Sequence, residues 1–354
     1  MLDGDRIRVA REFQGWSRAE LARRAGRLSG AAVGQFESGA TTPNSDTLER
    51  LARALEVPVG FFARTAATAS YSAAYFRSLR STTLTERRRA RAFVQYVHQF
   101  ARALEQMVEL PECDVPRAVV GPHSEEAEIE RIAGSVRRSW GLDSVEPLPN
   151  VVRLLERHGV IVVRSYTGGQ KVDAYSVPFE DRSVVVLSAE KGKHDRSRFD
   201  AAHELGHLVM HKPDAEATKR LEAQAHRFSA AFLMPEAGIR DDLPSWADWR
   251  VLLRLKEEWG VSIAALLRRS RDLGKMSPDE YTTSMKALSA RGWRRDEPGN
   301  VAPEEPTLLK RAANVALDAA ALDLEALAER VALPTEFLNR LVTDASDPRP
   351  EVPI

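Results

Sequence analysis

Several broad classes are closed to this 354-residue sequence by what it lacks. It has one cysteine, Cys113, which excludes an internal disulfide and a cysteine-based zinc cluster and fits a reducing compartment. With only Arg117 as a basic neighbour in sequence, that thiol is expected to be buried and inert. No run approaches the roughly 18 apolar residues of a membrane span. The opening MLDGDRIRVA carries acids where a signal peptide needs a basic end and an apolar core, so the expected location is the cytoplasm, away from membranes. Net charge is missing too: 51 Lys and Arg balance 51 Asp and Glu, so any basic surface must arise by local segregation. At 43% hydrophobic and 29% charged, the chain is neither largely disordered nor collagen-like. Its length suits two or three domains.

The first 62 residues read as five short helices. Ser17 and Glu20 have the spacing of a capping box, in which the hydroxyl and the carboxylate each satisfy an orphan N–H of the first turn. Leu21, Ala22 and Ala25 then form an inner face, Gly26 ends the helix, and a further helix spans about Ser29 to Ser38. Pro43 and Asn44 or Ser45 open the next. Residues 63–110 carry eight arginines against Glu86, Glu105 and Glu109, a net of +5 on one long helical stretch. Prolines at 111, 116 and 122 mark a linker. Helices are expected at Glu125–Trp140 and Asn150–His158, then a buried strand at Val160–Val163. Two β-rich runs, Val172–Val177 and Ser183–Leu187, flank a Pro-Phe-Glu-Asp turn and suggest a hairpin. Helices follow at about Ser197–His211 and Ala215–Met234, and the last 120 residues read as helical, with Trp246, Trp249 and Trp259 as packing residues. No convincing internal repeat emerges, although Leu322–Val342 faintly echoes the first helix pair.

The chemistry concentrates in Arg198-Phe-Asp-Ala-Ala-His203-Glu204-Leu-Gly-His207. Two histidines at i and i+4 project from one helix face and can share a metal ion, while Glu204 between them can take a proton from a water at the open position. Zinc suits this arrangement because it is redox-inert, accepts imidazole nitrogen and acidifies water. The surrounding frame of Phe199, Ala202, Leu205 and Val209 is what an amphipathic helix needs. A third ligand must come from elsewhere. The following helix offers Glu222, at the shoulder of the buried stripe Leu221, Ala225, Phe228 and Phe232, and His226 one turn further along. Spacing favours Glu222 but leaves His226 open as ligand, ligand-supporting group or oxyanion donor. Tyr175 and His194 are further oxyanion candidates, and Arg198 and Asp200 read as supporting or capping groups.

RFDAAHELGHLVMH followed by EAQAHRFSAAFLMP closely resembles the ImmA/IrrE (DUF955) metallopeptidases, over roughly residues 120–235. That resemblance implies His203, His207 and Glu222 as zinc ligands and Glu204 as general base. It also implies a helix-turn-helix repressor as protein substrate, cut at a limited site in a DNA-damage, stress or mobile-element response. Family members often have Asn where this chain has His226.

Ser17–Gly39, with Glu37-Ser-Gly39 closing the second helix, matches the pattern of lambda-repressor-like (XRE) heads, which residues 1–62 resemble throughout. In that geometry the second helix enters the major groove, which points to Ser29, Gly30, Ala31, Ala32 and Gln35 as the residues facing double-stranded operator DNA. Most are too small for bidentate base contacts, and nine arginines against eight acids leave the head at only +1. The Arg-rich 77–91 segment is therefore a candidate helper, and the resemblance suggests a homodimer.

The expected fold is multidomain and mainly α. It comprises a five-helix head (1–62), an Arg-rich helical linker (63–115), a small α+β zincin-like metallopeptidase domain with a short sheet (116–235) and a helical carboxy-terminal region (236–354). The expected function is a DNA-binding regulator with a zinc endopeptidase. Two rivals come from other classes: a transcription factor whose metal domain only senses or stabilises, and a toxin–antitoxin or defence partner whose head docks protein.

Overall fold

The computed structural model describes residues 2–63, 83–121, 123–165, 174–188, 194–212, 218–294 and 296–343. The described residues are mostly helical with one small sheet among them, and no described helix is long and apolar enough to cross a membrane.

The head contains four helices, α1 (Gly4–Gln14), α2 (Arg18–Ala25), α3 (Gly30–Glu37) and α4 (Ser45–Leu55), closed by a 3-10 turn at Val59–Ala63 where a fifth helix was expected. Ser17 caps α2 by accepting from the Glu20 amide at 3.1 Å. Glu20 does not reach back as the spacing predicts; its carboxylate is held by Arg23 and Arg24 at 2.7 and 2.6 Å. Two nearby guanidiniums outcompete one backbone N–H for a charged acceptor. At the end of α3, buried Glu37 takes Arg11 at 2.5 Å and Arg18 at 2.6 Å, tying α1 and α2 to it. Gly4 must be glycine, because a Cβ there would stand 2.1 Å from the Phe36 carbonyl oxygen of α3.

Part of the expected Arg-rich helical linker, residues 64–82, lies outside the described residues. Arg64, Arg77 and Arg80 fall in it, while α5 (Leu84–Glu105) is helical as expected and serves as a hub. Thr83 and Glu86 form a complete capping box at its start. From Ala90 to Leu104 it buries apolar side chains on several faces, which requires partners on several sides. It packs against the head, the sheet and the last three helices.

The sheet runs β1 (Ile161–Ser165), β3 (Ser183–Ser188), β2 (Ala174–Pro178), with β1 parallel and β2 antiparallel to the central strand. The expected hairpin is present, Pro178 pairing with Ser183. Alternation along the strands gives the sheet two apolar faces. Ile161, Val163, Tyr175, Val177, Val184 and Val186 join the core of the head and α5. Val162, Ala174, Val185 and Leu187 join a second core. That second core contains α6 (Glu126–Ser139), α7 (Val151–Arg157), α8 (His194–Met210), α9 (Lys219–Leu233), the short α10 (Glu236–Ile239), α11 (Trp249–Trp259), α12 (Ile263–Asp272) and α13 (Pro278–Ala290).

The carboxy-terminal region is shared between the cores. α11–α13 belong with the second, whereas α14 (Leu308–Ala320), α15 (Leu324–Val331) and α16 (Thr335–Val342) return to the first. The crossing segment is pinned by buried charges. Glu304 is bound by Arg198 of α8 and accepts from the amides of Val151 (2.8 Å) and Val152 (3.0 Å) at the start of α7. Glu156 of α7 in turn accepts from Thr307 and Leu308, both at 2.8 Å, at the start of α14. Each carboxylate sits at a helix N-terminus, where unsatisfied amides and the helix dipole favour negative charge. Half-buried Cys113 is more accessible than expected.

Glu304→Ala leaves Arg198 buried without its carboxylate and is expected to cost about 3–5 kcal/mol of unfolding free energy in urea titration. Glu305→Ala removes only the exposed partner of Arg164 and is expected to cost no more than about 1 kcal/mol. Equal losses in the two variants would contradict the assignment of Glu304 as the pin.

Candidate metal centre

α8 is oriented by its apolar stripe. Ala201, Ala202, Leu205, Leu208 and Val209 are buried against the sheet and α7, so His203 and His207 turn to the other side, toward α9. α9 begins at Thr218, whose side chain caps it by accepting from the Leu221 amide, and Glu222 lies in its first turn. The two helices approach closely at Gly206, where a Cβ would stand 3.0 Å from the Phe228 ring. A larger residue between the two histidines would push α9 and its carboxylate away.

The result is a compact donor set. One ligating atom from each of His203, His207 and Glu222 lies within 4.8 Å of the others. The two Nε2 atoms are 3.1 Å apart, and the Glu222 oxygens stand 3.5 Å from His203 Nε2 and 3.7 Å from His207 Nε2. Ligands at about 2.0–2.2 Å from a tetrahedral zinc would be about 3.3–3.6 Å from one another, so the spacing fits such an ion. Three protein donors leave a fourth position open.

Behind His207 runs a hydrogen-bonded relay. His207 Nδ1 lies 2.8 Å from His211 Nδ1, His211 Nε2 lies 3.2 Å from Gln224 Oε1, and Gln224 Nε2 donates to the Gly121 carbonyl at 2.9 Å. Burial pushes the His211 imidazole down to about 4, so it is neutral. One proton arrangement then satisfies the chain: His207 Nδ1–H donates to His211, and His211 Nε2–H donates to Gln224. That tautomer frees the His207 Nε2 lone pair for a metal.

Glu204 faces the sheet side of the site. Its buried carboxylate accepts from the Ser176 hydroxyl at 2.6 Å. Burial pushes the Glu204 carboxyl up to about 7, opposed by the neighbouring His203 and by Ser176. His226 stands outside the three-ligand group, exposed, with its ring 5.0 Å from that of His203 and 5.3 Å from Phe199.

Tyr175 is a correction. Strand alternation turns it to the opposite face from Ser176, and its hydroxyl donates to the Ala90 carbonyl of α5 at 3.3 Å, so it cannot serve as an oxyanion donor. Arg198 is occupied with Glu304 and the Leu148 carbonyl. The His194 side chain lies outside the described residues. Ser176, His211 and Gln224 escaped the sequence reading. The i+4 step from His207 was a usable signal for His211, whereas Ser176 required the register of β2.

A cleft of about 1080 Å³ opens beside Glu222 and His226. Phe199 lines it from α8, while Arg268, Tyr281, Met285 and Trp293 line it from α12, α13 and the segment after them. In the head, Ala31 and Gln35 are exposed and Ala32 is half-buried. The exposed Ser29 spends its oxygen as the α3 cap, accepting from the Ala32 amide at 3.1 Å.

Residues 155–271 match the family model of the IrrE N-terminal-like domain, Peptidase_M78, and residues 7–62 match the helix-turn-helix model HTH_3. No curated protein matches the chain. The peptidase match runs on through α11 and α12, beyond residue 235, in keeping with their place in the second core. The protein thus joins an XRE-type helix-turn-helix head to a peptidase domain of the ImmA/IrrE kind.

Proposed function

We propose that the protein is a DNA-binding transcriptional regulator whose peptidase domain is a zinc-dependent endopeptidase acting on a helix-turn-helix repressor. The observation that carries this reading is the convergence of His203, His207 and Glu222 with Glu204 buried beside them. His203, His207 and Glu222 would hold the ion. When bound, such an ion supplies Lewis acidity toward a carbonyl oxygen and acidifies water.

The chain's own residues do the rest. Glu204 removes a proton from the attacking water and returns it to the leaving amine. Ser176 holds Oε2 of that carboxylate, leaving Oε1 to move the proton. A divalent charge beside Glu204 offsets its desolvation and favours the ionised form a base requires. His226, at the mouth of the cleft, would steady the carbonyl oxygen. β2 is an edge strand of the sheet and carries Ser176, so an extended segment of substrate can add along it while its side chains enter the cleft. The head, through Ser29, Ala31, Ala32 and Gln35, would bring the enzyme to operator DNA as a homodimer in the cytoplasm.

Glu204→Gln is expected to keep one equivalent of zinc by elemental analysis while cleavage of helix-turn-helix repressors encoded nearby falls by about 10²–10⁴-fold. Undiminished cleavage would remove Glu204 from the mechanism. A metal-free protein after purification in zinc would remove the hydrolase reading altogether. His211→Phe breaks the relay behind His207 and is expected to weaken zinc affinity about 10–100-fold in competition with a chelator. Tyr175→Phe serves as the control: both zinc content and cleavage should match the native protein.

A further inference from the structure

The last three helices repeat the first three. α1 ends at Gly15 in the left-handed conformation (φ 75°), passes Trp16, and α2 is capped by Ser17. α14 ends at Ala321, also left-handed (φ 50°), passes Leu322, and α15 is capped by Asp323. The junctions share a hydrogen bond as well: Trp16 N donates to Arg11 O at 3.1 Å, and Leu322 N to Leu317 O at 3.0 Å. α2 and α15 are each eight residues long, and both bury the positions four, five and eight beyond the cap. These are Leu21, Ala22 and Ala25 in one and Leu327, Ala328 and Val331 in the other.

The next turn again begins with a positive-φ residue, Gly26 (φ 68°, ψ 150°) or Ala332 (φ 54°, ψ 49°), of which Ala332 alone is in the left-handed helical region. It leads to a second eight-residue helix, α3 or α16. Turns of four and three residues at this point, Gly26–Ser29 and Ala332–Pro334, are the length a helix-turn-helix uses. Alanine tolerates the left-handed conformation poorly, so Ala321 at the junction that matches Gly15 reflects a backbone the fold requires.

We infer that residues 308–342 are a second helix-turn-helix and that α16, with the Arg-rich start of α5, forms a second contact surface for double-stranded DNA. The inference rests on the DNA-binding reading of the head. The exposed side chains of α16 are Thr335, Glu336, Asn339 and Arg340. Asn and Arg are the residues that pair bidentately with adenine and guanine, whereas the head's α3 offers chiefly alanine, glycine and one glutamine. Four cations against five acids leave residues 308–342 at −1, so this unit cannot grip phosphates alone.

The missing charge lies next to it. Gln99 of α5 donates to the Val331 carbonyl at 2.8 Å, and Phe337 of α16 packs on Phe93 and Tyr96 of α5 with ring centroids 5.9 and 5.3 Å away. Residues 86–91 of that helix carry Arg87, Arg88, Arg89 and Arg91 against Glu86 alone. Arg89 is depressed by burial and by the nearby charge of Arg340, a like-charge approach that a phosphate would relieve.

The test uses the full-length, metal-loaded chain and duplexes it selects from a random-sequence library. Asn339→Ala with Arg340→Ala is compared with Gln35→Ala, after matched melting temperatures establish that each is folded. The α16 variant is expected to bind the selected duplex about 10–100-fold more weakly, to lose part of the footprint and to show a shallower salt dependence. If Gln35→Ala weakens binding while the α16 variant keeps native affinity and footprint, the second surface is refuted and the head's role stands. If the native chain selects no duplex, both readings fall.

Discussion

A sheet of three short strands with apolar side chains on both faces must be covered twice, and the rest of the molecule is arranged around that requirement. One face is covered by α8, which brings the two histidines and Glu204 with it. The other is covered by α5, which brings the head. Adjacent residues of β2 consequently serve opposite sides: Tyr175 reaches the Ala90 carbonyl of α5, and Ser176 holds the Glu204 carboxylate. The head, α5, the sheet and α8 with the candidate metal centre are therefore packed one on the next.

The donor set depends on how closely α8 and α9 approach. The bare backbone at Gly206 lets the Phe228 ring lie against α8, and that contact sets the reach of Glu222. The supporting relay through His211 and Gln224 ends on a backbone carbonyl of the segment before α6, so three separate parts of the chain fix one imidazole. Such support keeps ligand geometry in place before an ion arrives, which lowers the cost of binding it.

Much of this was legible in the sequence. The i, i+4 histidines, the apolar frame of α8 and the shoulder position of Glu222 are local helical facts, and they carried through to the geometry. The helix pair of the head was equally readable, because its caps and stops are single residues. What could not be read was long-range. Glu20 met two arginines where the capping-box rule supplies one amide, and Tyr175 and Ser176 were sorted by a strand register that only pairing determines. α5 resembled a linker because its arginines cluster at one end, while its burial from Ala90 onward depends on helices more than 200 residues away. The likeness of α14–α16 to the head was faint in letters because it resides in caps, buried positions and the left-handed junction where Ala321 stands for Gly15.

Phe337 closes over Phe13, Phe93 and Tyr96, so the aromatic packing behind the head is completed by α16, far along the chain from the head itself. A nascent chain stopped anywhere before α14 would present those rings to solvent. A nick at Glu304 would still leave α14 held to α7 through Glu156, which accepts from Thr307 and Leu308. The head and α14–α16 thus share one core, and a single cut in the chain between them does not by itself part them.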